Sequence, residues 1–343
     1  MPKMVIRLCG RRPFSGICLN GSIRSAPHGR PLSTARMPHV IRPSRNEVAE
    51  KRLSDRNLEA AVRSVHHDGL VVIEDAVPSE HLDDLNTKMV KDARALQARG
   101  EDGPFNYNLG NLQQDPPPWA RYFQPSIFAN RIATEVTSSV LGPRPKWTFC
   151  SGNSAMPPLP GVSPSRQPVH ADADFAHPAH PFALVVNVPL VDMTPQNGST
   201  EIWQGTHAGT GGIRAQEGAH GERASGRIKP DLLEAWTATH GPPCQPSIRK
   251  GSIVIRDLRL WHAGMPNMTD QVRVMLAMIH FASWYRNPMR LEFAEDIKPV
   301  LEEMDSKDEL GLEVPVDWVS PKDAMDRYLN RAFGNAYDFN QAP

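Results

Sequence analysis

Gly251-Ser252-Ile253-Val254-Ile255-Arg256-Asp257-Leu258-Arg259-Leu260-Trp261-His262 runs through Ala263-Gly264 into Met265-Pro266-Asn267-Met268-Thr269-Asp270, and the chain resumes as Val272-Arg273-Val274-Met275-Leu276-Ala277-Met278-Ile279. Two apolar, β-branched runs separated by a Pro-Asn cluster predict two strands joined as a hairpin about Asn267-Met268. In such a hairpin His262 and Arg273 lie nearly opposite each other. An arginine in an otherwise apolar strand is expensive to bury unless an anion meets it. A dicarboxylate would meet it, one end taking the guanidinium fork and the other chelating a metal. Two plainer readings stand beside this one: His262 as an ordinary half-buried histidine, and Arg273 snorkelling to a sheet edge or paired with Asp257.

Upstream, His170-Ala171-Asp172 has the spacing that turns two side chains to one side of an extended segment. An imidazole and a carboxylate can then reach one metal, and one further imidazole completes a two-His-one-carboxylate face with open positions. Alone, the triplet is a weak signal. In this order with His262 and Arg273, it predicts a non-haem iron site of His170, Asp172 and His262.

The surroundings predict an α+β chain with a mainly β core. Leu58, Ala61, Val62 and Val65 have helical spacing and Gly69 ends the helix. Leu70-Val71-Val72-Ile73 reads as a strand, and Ser79 as the N-cap of a second helix with Leu82, Leu85, Met89 and Leu96 on one face. Residues 100–119 form a polar, Pro-rich loop. Further strands are expected at Trp147–Cys150, Phe182–Val188 and Thr200–Trp203, separated by turn residues as in an antiparallel sandwich or barrel. Gly205–Pro246 reads as an insertion with a helical stretch at Asp231–Ala238; Pro299–Met304 and Pro321–Ala332 read as helices of a C-terminal extension.

Composition narrows the function. Lys plus Arg, at 38, equals Asp plus Glu, at 38, so charge argues against a nucleic-acid or anionic-membrane partner. No apolar run approaches a bilayer span. Cys9, Cys18, Cys150 and Cys244 form neither a disulfide framework nor a thiolate zinc site, which favours a reducing, cytoplasmic setting. Residues 1–46 hold nine Lys or Arg and no acid before Glu47, the composition of a mitochondrial presequence or of a disordered basic tail. The expected organisation is a basic leader over 1–46, a catalytic domain over 47–290 with its β core at about 140–285, and an extension over 291–343.

Gln167-Pro168-Val169-His170-Ala171-Asp172, Asn197-Gly198 leading to Gln204-Gly205-Thr206-His207, and the stretch from Gly251 through Trp261-His262 to Arg273 resemble the phytanoyl-CoA dioxygenase family of Fe(II)/2-oxoglutarate oxygenases. The resemblance spans roughly residues 55–285 and implies a double-stranded β-helix (jelly-roll, cupin-like) core with flanking N-terminal helices. It implies Fe(II), 2-oxoglutarate and O2 as cofactors, with His170, Asp172 and His262 as catalytic iron ligands and Arg273 on the distal carboxylate. Gln167 and Asn187 match positions where some members touch the co-substrate. The implied reaction is oxidation, by default hydroxylation, of a small-molecule or lipid-like metabolite with release of succinate and CO2, by a monomer or homodimer.

There are departures. Gly264 stands where some relatives carry a co-substrate-binding hydroxyl, and Gln204 where many have proline. Retention of Asp172 disfavours halogenation, and Asn340-Gln341-Ala342-Pro343 is no peroxisomal ending. A zinc site using His177 and His180 is the competing metal reading, although Pro178 and Pro181 suit a lid better. Two rival functions follow: a jelly-roll binding protein without turnover, and a zinc-dependent cupin enzyme.

Overall fold

The computed structural model describes residues 34–218 and 225–330. Helix α1 (Arg45–Glu50) starts at a reciprocal capping box between Ser44 and Glu47. Ser54 caps α2 (Asp55–Asp68), and Gly69 stops it in the left-handed region at φ 83°. Glycine is required there twice over, because a Cβ would also lie 2.6 Å from Leu260 Cδ1. In α3 (Ser79–Gln97) the expected face is buried, but Ser79 is not the N-cap. Pro78 holds that position at φ −57°, ψ 128°, with no side-chain capping bond. A proline with extended ψ takes the cap position and leaves Ser79 as the first helical residue, so the helix starts one residue earlier than expected. Two further helices, α4 (Pro125–Phe128) and α5 (Arg131–Leu141), complete the N-terminal layer.

The main sheet is built from β1 (Val40–Ile41), β2 (Leu70–Ile73), β3 (Asn111–Gln113), β4 (Lys146–Ala155), β5 (Ala183–Pro189), β9 (Ile253–Asp257) and β11 (Arg273–Phe281). Their order is β1-β2-β9-β5-β11-β4-β3, antiparallel except for β1 beside β2. A second, shorter sheet uses β6 (Glu201–Ile202), β7 (Gln216–Glu217), β8 (Arg227–Ile228) and β10 (His262–Ala263), knitted together by bridges at His170 and Cys244. The sheets face each other across a cavity, as the two halves of a jelly roll do. The sheet-dominated core with flanking helices is therefore as expected.

The hairpin expectation is corrected. Residues 251–262 are two strands, β9 and β10, not one. Asp257 Oδ1 accepts from the Arg259 N–H (2.9 Å) and Nε (2.8 Å), and the Leu260 N–H returns to the Asp257 carbonyl (3.1 Å), turning the chain from the main sheet into the short one. The following turn carries it back, with the Asn267 amide donating to the Ala155 carbonyl (2.9 Å). His262 pairs with Ile202 in the short sheet while Arg273 pairs with Ala155 in the main one. The two side chains thus come from facing sheets, not from one ladder.

The leader boundary also moves. Residues 34–46, counted with the basic leader, are part of the fold: Val40–Ile41 forms β1, and Arg36 meets Asp68 at 2.8 Å. Lack of acids marked this stretch as leader and hid two strand residues. The presequence reading of residues 1–33 lies outside the described residues.

Helix α6 (Pro230–His240) sits in the insertion, and beyond β11 lie β12 (Leu291–Ala294), α7 (Lys298–Ser306), β13 (Val316–Val319) and α8 (Pro321–Arg327). Phe293 of β12 packs on Phe123 and Trp147 at ring separations of 5.8 and 5.7 Å, so residues expected as an extension share the main core. All described residues fall in one compact unit. Among them no helix is long and apolar enough to cross a membrane.

Candidate metal and co-substrate site

His170 and His262 are opposite each other in the short sheet and exchange both backbone hydrogen bonds at 2.9 Å. That pairing brings their rings to a centroid separation of 4.3 Å. Each Nδ1 sits against the carbonyl two residues earlier, Pro168 at 2.9 Å and Leu260 at 3.0 Å. Such a bond places the proton on Nδ1 and leaves Nε2 as a bare lone pair. Asp172, two residues along the extended chain, puts Oδ1 3.7 Å from His170 Nε2 and 3.6 Å from His262 Nε2. The three potential ligand atoms lie within 4.8 Å of one another, and this is the one such group among the described residues.

Arg256, on β9, holds the carboxylate from the far side. Its Nη2 donates to Asp172 Oδ2 at 2.5 Å and its Nε to Asn187 Oδ1 at 3.1 Å. Burial alone raises the Asp172 pKa, but Arg256 and the two imidazoles outweigh it and hold the carboxyl below the ordinary range. Burial, with Arg256 nearby, lowers both histidines. The result is two neutral imidazoles and one carboxylate, the protonation state that metal binding requires. Donor types, tautomers and spacing fit a two-His-one-carboxylate iron face.

Arg273 opens β11 at 2% exposure. It donates to the carbonyls of Gly198 (2.6 Å) and Asn153 (3.3 Å), and its buried Nε has no partner. Among the described residues no carboxylate comes within ion-pair range of it. Asp257, the acid considered as its partner, is bound to Arg259 at 2.7 Å instead. Burial pushes the Arg273 pKa down to about 10. A buried cation without a counter-ion is unfavourable, which marks the place for an anionic ligand.

A cavity of about 120 Å³ between the sheets touches His170, Asp172, His262, Arg273, Gln167 and Asn187, so every expected site residue lines one space. Main-sheet register orders it. Arg273 stands at one end of β11, and Ile279, level with Val185, Arg256 and Phe149, at the other. Six residues of strand separate the ends, roughly 20 Å. The amides of Gln167 and Asn187 bond mainly to protein. Gln167 Oε1 accepts from the Gly264 N–H at 2.7 Å, and Asn187 Nδ2 donates to the Leu276 carbonyl at 3.1 Å. A Cβ at Gly264 would lie 2.5 Å from Gln167 Oε1, so a hydroxyl-bearing residue and this glutamine placement exclude each other.

Arg256 was missed in the sequence although the argument applied to Arg273 covers it equally: a cation at an inward position of an apolar strand. Tyr107 was missed for want of any pattern. It takes a left-handed φ of 68°, rare for an aromatic residue. Its ring lies 4.7 Å from His170, and its hydroxyl donates to the Ser225 carbonyl at 2.7 Å. The competing His177/His180 metal site does not form. His177 Nδ1 lies 2.9 Å from the Pro178 carbonyl, and its ring stacks on Phe182 at 5.5 Å.

The phytanoyl-CoA dioxygenase (PhyH) family model matches residues 65–275, more than half of the chain. The protein "Dioxygenase af480" of Aspergillus fumigatus is 23% identical over 279 residues, covering 76% of this chain and 81% of that one. Among solved structures, the non-heme alpha-ketoglutarate-dependent epimerase SnoN from nogalamycin biosynthesis is 16% identical with a TM-score of 0.48, over 67% of this chain and 85% of its own. EvdMO1 is 20% identical with a TM-score of 0.45, over 66% of this chain and 50% of its own.

Proposed function

The chain belongs to the phytanoyl-CoA dioxygenase family, and on that premise we propose that it is an Fe(II)/2-oxoglutarate-dependent dioxygenase that hydroxylates a small-molecule or lipid-like metabolite and releases succinate and CO2. In this reading His170, Asp172 and His262 hold the iron and Arg273 the distal carboxylate of 2-oxoglutarate. One observation carries it. A set of bare imidazole nitrogens with a carboxylate and a buried guanidinium lacking a counter-ion line the same cavity.

Iron, 2-oxoglutarate and O2 supply the oxidising power when bound; the chain's own residues do the rest. Arg273 binds and orients the co-substrate through a charge-assisted fork. Arg256 occupies Asp172 Oδ2, so that only Oδ1 faces the imidazoles. Phe149, Val185 and Ile279, at the end away from Arg273, offer an apolar wall that orients a substrate and excludes water.

The test is succinate formation from 2-oxoglutarate under air with Fe(II), measured with and without a diverse metabolite panel. Slow uncoupled succinate release is expected without substrate, stimulated by the right metabolite and lost in Arg273→Leu. Absence of succinate in all conditions would indicate a binding protein without turnover. Activity restored by Zn(II) but not Fe(II) would indicate a zinc enzyme.

A further inference from the structure

The active-site cavity shares two wall residues, Gln113 and Phe149, with a second cavity of about 220 Å³. The reason lies in the strand register. β3 pairs with β4 only from Asn153 to Ala155, so at Thr148–Cys150, where Phe149 and Cys150 pair with β11 on one side, no strand among the described residues pairs with the other side of β4. The second cavity is lined on that side by Thr148, Phe149 and Cys150. Its outer walls come from two segments that the iron site leaves unexplained: the Pro-rich loop, through Pro104, Pro116 and Pro118, and the C-terminal elements, through Met289, Phe293 and Leu329. Phe149 is also level with Arg256 and Ile279, at the end of the active-site cavity away from Arg273. The junction therefore lies on the substrate side.

Charge limits what can occupy this space. Arg290, the one basic residue among the described lining, is bound to Asp317 at 2.5 Å. Glu292 is bound to Arg327 at 2.7 Å, and the Tyr328 hydroxyl donates to Asp92 at 2.6 Å. No cation is left over among these residues to grip a phosphate or carboxylate, and the other described walls mix polar side chains (Gln113, Gln114, Asp115 and Thr148) with apolar ones (the prolines, Met289, Phe293 and Leu329).

We propose that this second cavity receives the distal part of the substrate, which passes between Gln113 and Phe149, and that the substrate is accordingly an elongated molecule with no anionic group at its distal end. The proposal rests on the oxygenase reading above for its assignment of a substrate end. An acyl chain carried on a polyphosphate-bearing thioester does not suit it, because the outer cavity has no free basic group for the phosphates.

The experiment uses the full-length protein loaded anaerobically with Fe(II) and 2-oxoglutarate. The neutral fluorophore N-phenyl-1-naphthylamine is bound and then displaced by 1-alkanols from hexanol to hexadecanol. Displacement should tighten by up to about fourfold per added methylene, and continue past the length that fills the inner cavity. In Met289→Trp the gain should stop at shorter chains, with hexanol unaffected; Cys150→Phe, which narrows the same space from β4, provides the second variant should the first misfold. Palmitoyl-coenzyme A should bind no more tightly than hexadecanol. A wild-type length dependence in both variants, failure of the fluorophore to bind, or a tenfold preference for the coenzyme A thioester would each overturn the proposal. The 2-oxoglutarate absorption band of the wild-type samples is recorded alongside. Its absence would overturn the oxygenase reading, whereas its presence with length-insensitive displacement overturns the outer cavity alone.

Discussion

Replacing Arg273 by methionine separates a ligand-binding arginine from a structural one by sign. Burial pushes its pKa down to about 10, so the charged form is disfavoured in the folded state at every pH below that value, and the full penalty is present at neutrality. A fall of that size corresponds to about 3 kcal/mol. Methionine removes this penalty and also the two bonds to the Gly198 and Asn153 carbonyls, each contributing about 1.5–3 kcal/mol, the 3.3 Å bond to Asn153 at the low end. The terms nearly cancel, so the ligand-free variant should melt within a few degrees of wild type. Breaking a buried ion pair would instead lose about 3–5 kcal/mol. With Fe(II) under anaerobic conditions, 2-oxoglutarate at a hundred times its Kd should stabilise the wild type by about 2.7 kcal/mol. Two charge-assisted bonds to the distal carboxylate, at about 1.5–3 kcal/mol each, make the variant's affinity at least a hundredfold weaker and remove the melting shift. Paired thermal melts read both quantities. A ligand-free loss above about 3 kcal/mol, or a retained 2-oxoglutarate shift, would refute the reasoning.

Four further outcomes are expected. Arg256→Leu frees Asp172 Oδ2 and should weaken Fe(II) binding by about ten- to a hundredfold in anaerobic titration, as loss of a group that orients a metal ligand does; an unchanged affinity would show that Asp172 is held otherwise. His280 is buried and its pKa is pushed down to about 3, so as pH falls the unfolded chain takes the proton first. Its contribution to stability is intact above about pH 6.5 and is lost toward pH 3 at up to about 1.4 kcal/mol per pH unit, and His280→Leu should flatten the denaturant-derived profile between pH 6 and 4 by that slope. Gly69→Ala forces φ 83° on alanine and a Cβ 2.6 Å from Leu260, and a loss of about 2 kcal/mol or more in urea unfolding is expected. Chelation by EDTA should lower the melting temperature, and added Fe(II) should restore both stability and succinate formation, whereas Zn(II) should leave succinate formation absent.

Strand periodicity alone put His170 and Asp172, at i and i+2, on one face. His262 and Arg273 joined the candidate site through their order in the chain and the family resemblance, and all four line one cavity. Sheet membership was harder to read. The apolar run from Ile253 to Trp261 looks continuous, yet Asp257 and Arg259 form a local buried pair that turns it from one sheet into the other. A period-two pattern does not report such a turn, and the hairpin expectation failed on it. Arg256 was overlooked because its partner, Asp172, is 84 residues away in sequence. Val40–Ile41 was lost in a basic stretch because two residues cannot show a period. The outer cavity depends on where β3 ends, a boundary of the kind that sequence patterns place least well.

The most direct test of the iron site is an anaerobic titration of the protein with Fe(II) and 2-oxoglutarate, followed by visible absorption. Iron held by His170, Asp172 and His262 together with 2-oxoglutarate would give a saturable metal-to-ligand charge-transfer band in the wild type that disappears in His170→Ala. No band in the wild type, or the same band in the variant, would contradict it.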